Sequence, residues 1–309
     1  MRLERAPTRE YRTWTHDSRR WRDYRPREGD IVIATYEKSG TTWTQRIVGG
    51  LVFGDLEPRP YSRDISIWVD RRFRTNVEED WKVLAAQTHR RFMKSHLPFD
   101  GLPIFDGVKY VHVARDGRDA ALSWHNHAHG YTEDTLRLMD AGGEEDESVA
   151  RPLPRAHAGP ADEFHRWLTE GVHPGWPDGL PNTSYFAFER SWWEARHRPN
   201  VLMLHYADML ADLRGEIGRL AAFLEIDAAP GFLNALAEAS TLRAMQTDGE
   251  ALLEGAETAF QGGHRRFLNK GENGRWRGIY RAADLALYEE KLAALPAECA
   301  HWLASGGRI

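Results

Sequence analysis

One cysteine, Cys299, is all that the 309 residues contain. No internal disulfide can form, so the fold needs no oxidising compartment, and a zinc site built on cysteines is excluded. The cytoplasm is the expected location. No apolar run approaches the roughly 20 residues needed to cross a bilayer, so no membrane partner is expected. The opening stretch also lacks the charged-then-apolar pattern of a secretory signal. Residues 1–29 are rich in arginine, but Glu4, Glu10, Asp17 and Asp23 are interleaved and serine is scarce. That composition speaks against a transit peptide and predicts a solvated lead-in. Positive charge is not in excess either: the formal net charge of −5 argues against a nucleic-acid partner, while leaving room for a local patch that holds an anion. The chain shows neither an internal repeat nor a dimerisation signature.

Hydrophobic residues make up 41% and charged residues 28%, a balance that fits a globular core and leaves no case for disorder. Four short apolar stretches read as buried strands: "IVIAT" from Ile31, "RFMKS" from Arg91, "KYVHVA" from Lys109 and "NVLMLHY" from Asn200. Helical spacing follows the first in "TTWTQRIVGGLVF" and the last in "LRGEIGRLAAFL". The alternation predicts an α/β fold over residues 1–309 as one domain, with a central parallel sheet flanked by helices and ligands at the carboxyl ends of its strands. Residues 140–162, rich in Gly, Pro and acid, read as a long exposed loop, either a lid or an inert insertion. A second segment, "FQGGHRRFLNKGENGRWRGIY", sets basic residues among glycines.

The turn after the first strand, "TYEKSGTTW", has the layout of a phosphate loop with its lysine on the unexpected side. A Walker A loop needs a lysine directly after its second glycine, whereas here Thr41 follows Gly40 and Lys38 precedes it. A standard ATPase or GTPase is therefore not indicated. What remains is a strand, a turn, and a helix start whose free N–H groups and positive dipole end favour an anion.

This loop closely resembles the 5′-phosphosulfate loop of the cytosolic-type sulfotransferases, which use 3′-phosphoadenosine 5′-phosphosulfate (PAPS). The resemblance continues in order through "MKSHLP", "YVHVARDGRDAALSW", "SWWEARHRPNVLMLHYADM" and "FLNKGENGRWRG". It implies a P-loop-like sulfotransferase with PAPS as donor co-substrate. A sulfuryl group carries less negative charge than a phosphoryl group, so hydrogen bonds and lysines can suffice, and no metal is expected.

Roles follow from the resemblance residue by residue. Lys38 would neutralise the bridging oxygen as the donor's sulfur–oxygen bond breaks, and Ser39, Gly40, Thr41 and Thr42 would bind the 5′-phosphate. A simple helix cap would also explain that serine and those threonines. Trp43 matches a residue that stacks on adenine. His96 matches the general base, suited by an ordinary pKa near neutrality, and Lys94, on the same face of the strand, would stabilise transition-state charge. Arg115 and Ser123 resemble the pair that grips the 3′-phosphate, arginine being able to hold phosphate oxygens in bidentate fashion. Tyr206 and Ser240 match the adenine side.

The chain also departs from the family pattern. Asn269, Lys270 and Gly271 stand where the family has Arg-Lys-Gly, with Arg275 and Trp276 further on. One phosphate-binding arginine is missing, and Arg265, Arg266 or Arg275 is expected to supply the charge. Leu242 occupies a position where an aromatic often packs against adenine, and Glu37 replaces the usual proline. The histidines of "HNHAH", residues 125–129, are expected to line the acceptor pocket rather than hold a metal, because on a helix only His125 and His129 share a face. Acceptor contacts are expected from Tyr61–Trp68, the histidine stretch and the 140–162 segment, for an alcohol, phenol or amine. Two other readings remain: a non-catalytic nucleotide-binding protein, and a phosphotransferase with an atypical P-loop that needs magnesium.

Overall fold

The computed structural model describes residues 1–61, 64–73 and 77–309. Six strands are present among them: β1 (Leu3–Arg5), β2 (Ile31–Thr35), β3 (Phe92–Ser95), β4 (Ile104–Phe105), β5 (Lys109–Ala114) and β6 (Val201–His205). β1 and β4 form a small antiparallel pair, and the other four form one parallel sheet in the order β3-β2-β5-β6. Every residue of β2 is buried, as expected for a parallel strand covered on both faces.

Strand periodicity sorts the core into two layers. Ile31 and Ile33 of β2, with Val111 and Val113 of β5, face helix α1 (Thr41–Phe53) and the helices Leu213–Phe223 and Pro230–Ala239, through Ile47, Val48, Leu51, Leu220 and Leu236. Val32 and Ala34 face the opposite way, into a cluster that includes Phe164, Trp167, Tyr185 and Trp192.

The register decides where the site lies. Ala34 pairs with Ser95, Thr35 with Val113 and Ala114 with His205. All four parallel strands therefore end at one edge of the sheet. The next residues, Tyr36–Gly40, His96, Arg115 and Tyr206, converge on the carboxyl end of β2, where the chain goes to β3 on one side and β5 on the other. That is the switch point at which open α/β sheets bind ligands.

Two expectations need correction. The first 29 residues are not simply solvated: Tyr11, Trp14, His16, Trp21 and Tyr24 are buried. Nor is 140–162 an exposed loop throughout. The helices numbered next in the chain are α2 (Val77–Ala86), α3 (Gly117–Ala128), α4 (Glu133–Glu144), α5 (Pro160–Thr169) and α6 (Tyr185–Ala195). The 140–162 range begins inside α4 and ends inside α5. Between them Val149 and Leu153 pack into a cluster with Trp14, Trp124 and Tyr131. The two segments hold each other in place: Trp14 Nε1 donates to the carbonyl of Arg151 at 2.9 Å, and Asp146 accepts from Arg72 at 2.5 Å and pairs with Arg12 at 3.4 Å. Gly143 permits this approach, since a Cβ there would stand 2.3 Å from the Trp14 ring. Composition reads such Gly- and acid-rich stretches as exposed, but here Asp146 is buried and matched by arginines distant in sequence.

Candidate active site

The turn between β2 and α1 is strained by design of its sequence. Lys38 has φ +66° and Gly40 φ +106°, and the left-handed region is uncommon for a lysine and natural for a glycine. A side chain at Gly40 would also bring a Cβ within 3.1 Å of Tyr206. Such backbone strain persists where surrounding contacts over-determine it. Here Thr35 Oγ1 and Thr41 Oγ1 lie 2.6 Å apart, Ser39 N donates to Tyr36 O, and the Lys38 carbonyl accepts from Arg115 Nη1 at 3.0 Å. No side chain caps α1. The N–H groups of Thr41, Thr42 and Trp43, which have no intrahelical acceptor, therefore stay available to an anion.

Lys38 points back across this opening. Its ammonium donates to His127 Nδ1 at 3.1 Å and lies 4.6 Å above the Phe267 ring. Burial, then repulsion from Lys94 and Arg115, pushes its pKa down to about 7. An entering anion would reverse that shift.

His96 follows the last residue of β3. Its Nδ1 lies 2.8 Å from the carbonyl of Thr35. Since a carbonyl only accepts, Nδ1 carries the proton and Nε2 keeps the lone pair. Its backbone N–H donates to Asp70, whose carboxylate also accepts from the indoles of Trp68 and Trp21. Burial, then repulsion from Lys94 and His16, holds the imidazole well below its ordinary pKa and hence neutral. Lys94 and His96 meet at one ring: Lys94 Nζ lies 4.3 Å from the centroid of Trp68, and the His96 ring 5.2 Å from it, edge-on. The Lys94 pKa is lowered to about 8, mainly by burial and then by Arg71.

On the other side of the turn, Arg115 clamps two segments. Besides Lys38, it donates to the carbonyl of Glu272 at 2.8 Å and to Asn273 Oδ1 at 3.1 Å, with its guanidinium 4.2 Å over Tyr206. Asp119 accepts from the backbone N–H groups of Gly274 and Arg275. The basic C-terminal segment is thereby fastened against the start of α3, and Asn269, Lys270, Gly271 and Arg275 stand on the same cavity wall as Arg115 and Ser123. Of the three arginines considered for the missing charge, Arg266 is engaged with the Asn126 carbonyl. Arg275 lines the cavity, and Arg265 is not among its lining residues. Trp43 meets Tyr206 edge-on at 5.2 Å, and its indole donates to the Ser240 carbonyl at 2.7 Å. Ser240 and Ser39 are fully buried and off the cavity wall, each with a hydroxyl that has no partner among the described residues. Ser240 thus touches Trp43 rather than the cavity. Leu242 lines the wall beside Gly271.

These groups enclose a cavity of about 610 Å³, within the range of small-molecule sites. Lys38, Arg71, Lys94, Arg115, Lys270 and Arg275 face it against Glu37 and Glu254, so a chain of net negative charge presents a locally basic chamber. Trp68, Phe73, Trp124, Tyr131, Phe260 and Phe267 supply an aromatic extension. The histidine stretch divides: His127 lines the cavity, while His125 and His129 both meet the carbonyl of His157. Ser62 and Arg63, within the expected acceptor stretch, lie outside the described residues. His16 and Asp70 were not anticipated, because no local pattern marks them; each reaches the site across a long sequence separation.

The sulfotransferase domain family matches residues 28–285. A glycolipid sulfotransferase of Mycobacterium tuberculosis is 36% identical over 312 residues, covering 96% of this chain and 94% of that protein. Sulfotransferase 1B1 of Mus musculus is 26% identical over 289 residues, covering 89% and 87%. Among solved structures, a retinol dehydratase in complex with androsterone and inactive cofactor PAP has a TM-score of 0.67 at 25% identity, covering 89% of this chain and 82% of that one. A mouse sulfotransferase complexed with PAP also reaches 0.67, at 18% identity over 92% and 90% of the two chains, a likeness of fold. No helix among the described residues is long and apolar enough to cross a membrane. The family match, the relative of more than a third identity and the shared fold agree: this chain belongs to the sulfotransferase family.

Proposed function

We propose that the chain, working as one unit in the cytoplasm, transfers the sulfuryl group of PAPS to a hydroxyl, or an amine, of a small organic acceptor. The single observation that carries this reading is the placement of a neutral imidazole, its Nδ1 committed to Thr35, on the same cavity as the uncapped start of α1 and the Lys38 ammonium. Residues here fit the donor. The backbone N–H groups of Thr41–Trp43 suit a 5′-phosphate, Arg115, Ser123 and Arg275 suit a 3′-phosphate, and Trp43, Tyr206 and Leu242 suit an adenine. In the transfer, the acceptor oxygen bonds to sulfur, its proton passes to His96 Nε2, and the sulfur–oxygen bond to the nucleotide breaks. Lys38 and Lys94 offset the negative charge that shifts onto the leaving oxygen and the sulfuryl. The solved relative with bound PAP supports the donor. The aromatic extension, and a relative named for glycolipids, favour an acceptor with an apolar body. Cytoplasmic placement rests on the single cysteine.

The test is transfer of labelled sulfuryl from PAPS to a panel of alcohols, phenols and amines, alongside titration with PAP and with ATP and magnesium. Transfer with PAP binding is expected. A chain that binds ATP–magnesium, ignores PAP and transfers nothing contradicts the reading.

A further inference from the structure

Glu37 stands where the resemblance predicts a proline, and its setting is unusual. The residue is 5% exposed, yet neither carboxyl oxygen has a hydrogen-bond partner among the described residues. It borders the cavity, as does His16, whose Nε2 lies 3.3 Å from Glu37 Oε1 without hydrogen-bond alignment and is likewise unpartnered. His16 Nδ1 is occupied by the hydroxyls of Thr13 and Thr15, at 3.1 and 2.9 Å, so Nε2 is the nitrogen left for a ligand. The His16 ring is 5.6 Å from His96 and 5.4 Å from Trp68, both edge-on. Glu37 and His16 therefore sit beside His96, where the reacting end of the cavity meets Trp68 of its aromatic side. Asn182, 1% exposed and also on the wall, has an amide whose oxygen and nitrogen are both unpartnered.

A buried polar group without a partner destabilises the fold that holds it. Three such side chains lining one cavity are expected to be satisfied by what the cavity binds. We propose that Glu37, with His16 and Asn182, is a specificity group that holds a further hydroxyl of the acceptor beside the one presented to His96. The acceptor class is then a polyhydroxylated head, a sugar or polyol, on an apolar body. The inference rests on the sulfotransferase reading above and deepens it.

The protonation states suit this role. Burial, helped by the Asp70 carboxylate and opposed by Glu37's own backbone N–H and by Lys94, raises the Glu37 carboxyl to about 8, and burial lowers His16 to about 4, so both are neutral near neutrality. A neutral carboxyl donates and accepts, as a hydroxyl does. The pair can hold an alcohol without placing a carboxylate beside the incoming sulfuryl.

The test compares octyl β-glucopyranoside with 1-octanol, which share the alkyl chain and differ in the head. Rates are measured with PAPS in the wild type, Glu37→Leu and Glu37→Gln, and glucoside binding is followed by calorimetry on PAP-saturated protein. The wild type is expected to favour the glucoside in kcat/KM by about tenfold or more. Glu37→Leu lowers that preference by about tenfold or more and weakens glucoside binding, while Glu37→Gln, which keeps an acceptor and donors, falls between. An unchanged preference in either variant overturns the proposal, as does a wild type that favours octanol or sulfates neither. Should Glu37→Leu not fold, Glu37→Gln decides on the same criterion. PAP titration of the same samples separates the two levels. PAP binding without a glucoside preference removes only the specificity group, whereas loss of PAP binding by the wild type removes the donor reading itself.

Discussion

His96 Nδ1 lies 2.8 Å from the carbonyl of Thr35, the last residue of the central strand. This one hydrogen bond ties the imidazole to the turn that begins at that residue. It also fixes the tautomer that leaves Nε2 basic. Replacing His96 by alanine is expected to lower kcat by roughly 10²–10⁴-fold while PAP affinity persists. Steady-state rates with calorimetry check this, and near-wild-type turnover would remove His96 as the base.

The pH dependence has a definite sign. The His96 pKa is lowered by burial and by neighbouring cations, and a base works in its neutral form. The acidic limb of kcat/KM should therefore fall well below the ordinary imidazole value of about 6.5. A limb at or above that value would contradict the assignment.

Lys38 predicts a proton linkage in donor binding. Its pKa is about 7 in the free protein and is raised by a bound anion, so binding favours the protonated form. PAP affinity should be flat below about pH 7 and fall above it, with net proton uptake at about pH 8. Calorimetry in buffers of different ionisation enthalpy measures that uptake. Proton release would reverse the argument.

The missing C-terminal arginine is expected to be replaced by Arg275, which lines the cavity while Arg266 is held by Asn126. Arg275→Ala should weaken PAP binding by roughly 10–100-fold, the range for a hydrogen bond to a charged group, with smaller effects from Arg265→Ala and Arg266→Ala. Equal affinity in all three variants would end this assignment.

Glu37 should cost stability for the sake of recognition. Its folded pKa of about 8 exceeds the 4.5 of a free carboxyl, so folding takes up a proton between those values. The cost grows as pH rises from about 4.5 to about 8 and is constant beyond. His16, Asp70, Lys94, Tyr36 and Tyr131 are titratable neighbours, the lysine opposing the shift. Glu37→Gln removes the cost, and its Tm should exceed that of the wild type by several degrees at about pH 8, with the gap closing towards about pH 4.5. A wild type that is the more stable at both ends would contradict this.

Much of the frame was legible because its signals are local. A fully buried parallel strand reads as a continuous apolar run, as in "IVIAT", and α1 begins at Thr41 where the turn chemistry ends. The residues after those strands were placed together by strand register alone. What escaped was built by contacts between distant segments: Trp14 against Arg151, Asp146 against Arg72, and His16 beside Glu37. No periodicity records such pairings, and arginine-rich or glycine-rich composition disguises them as solvated chain. The departure at Glu37 was visible, but its meaning depends on burial without a partner, which only the assembled cavity reveals.

The most direct measurement is a crystal structure with PAP bound. The 5′-phosphate is expected against the backbone of Gly40–Trp43, the 3′-phosphate at Arg115 and Ser123, and His96 Nε2 open to the space beyond the 5′-phosphate. A nucleotide bound elsewhere, or a His96 turned away from that space, would contradict it.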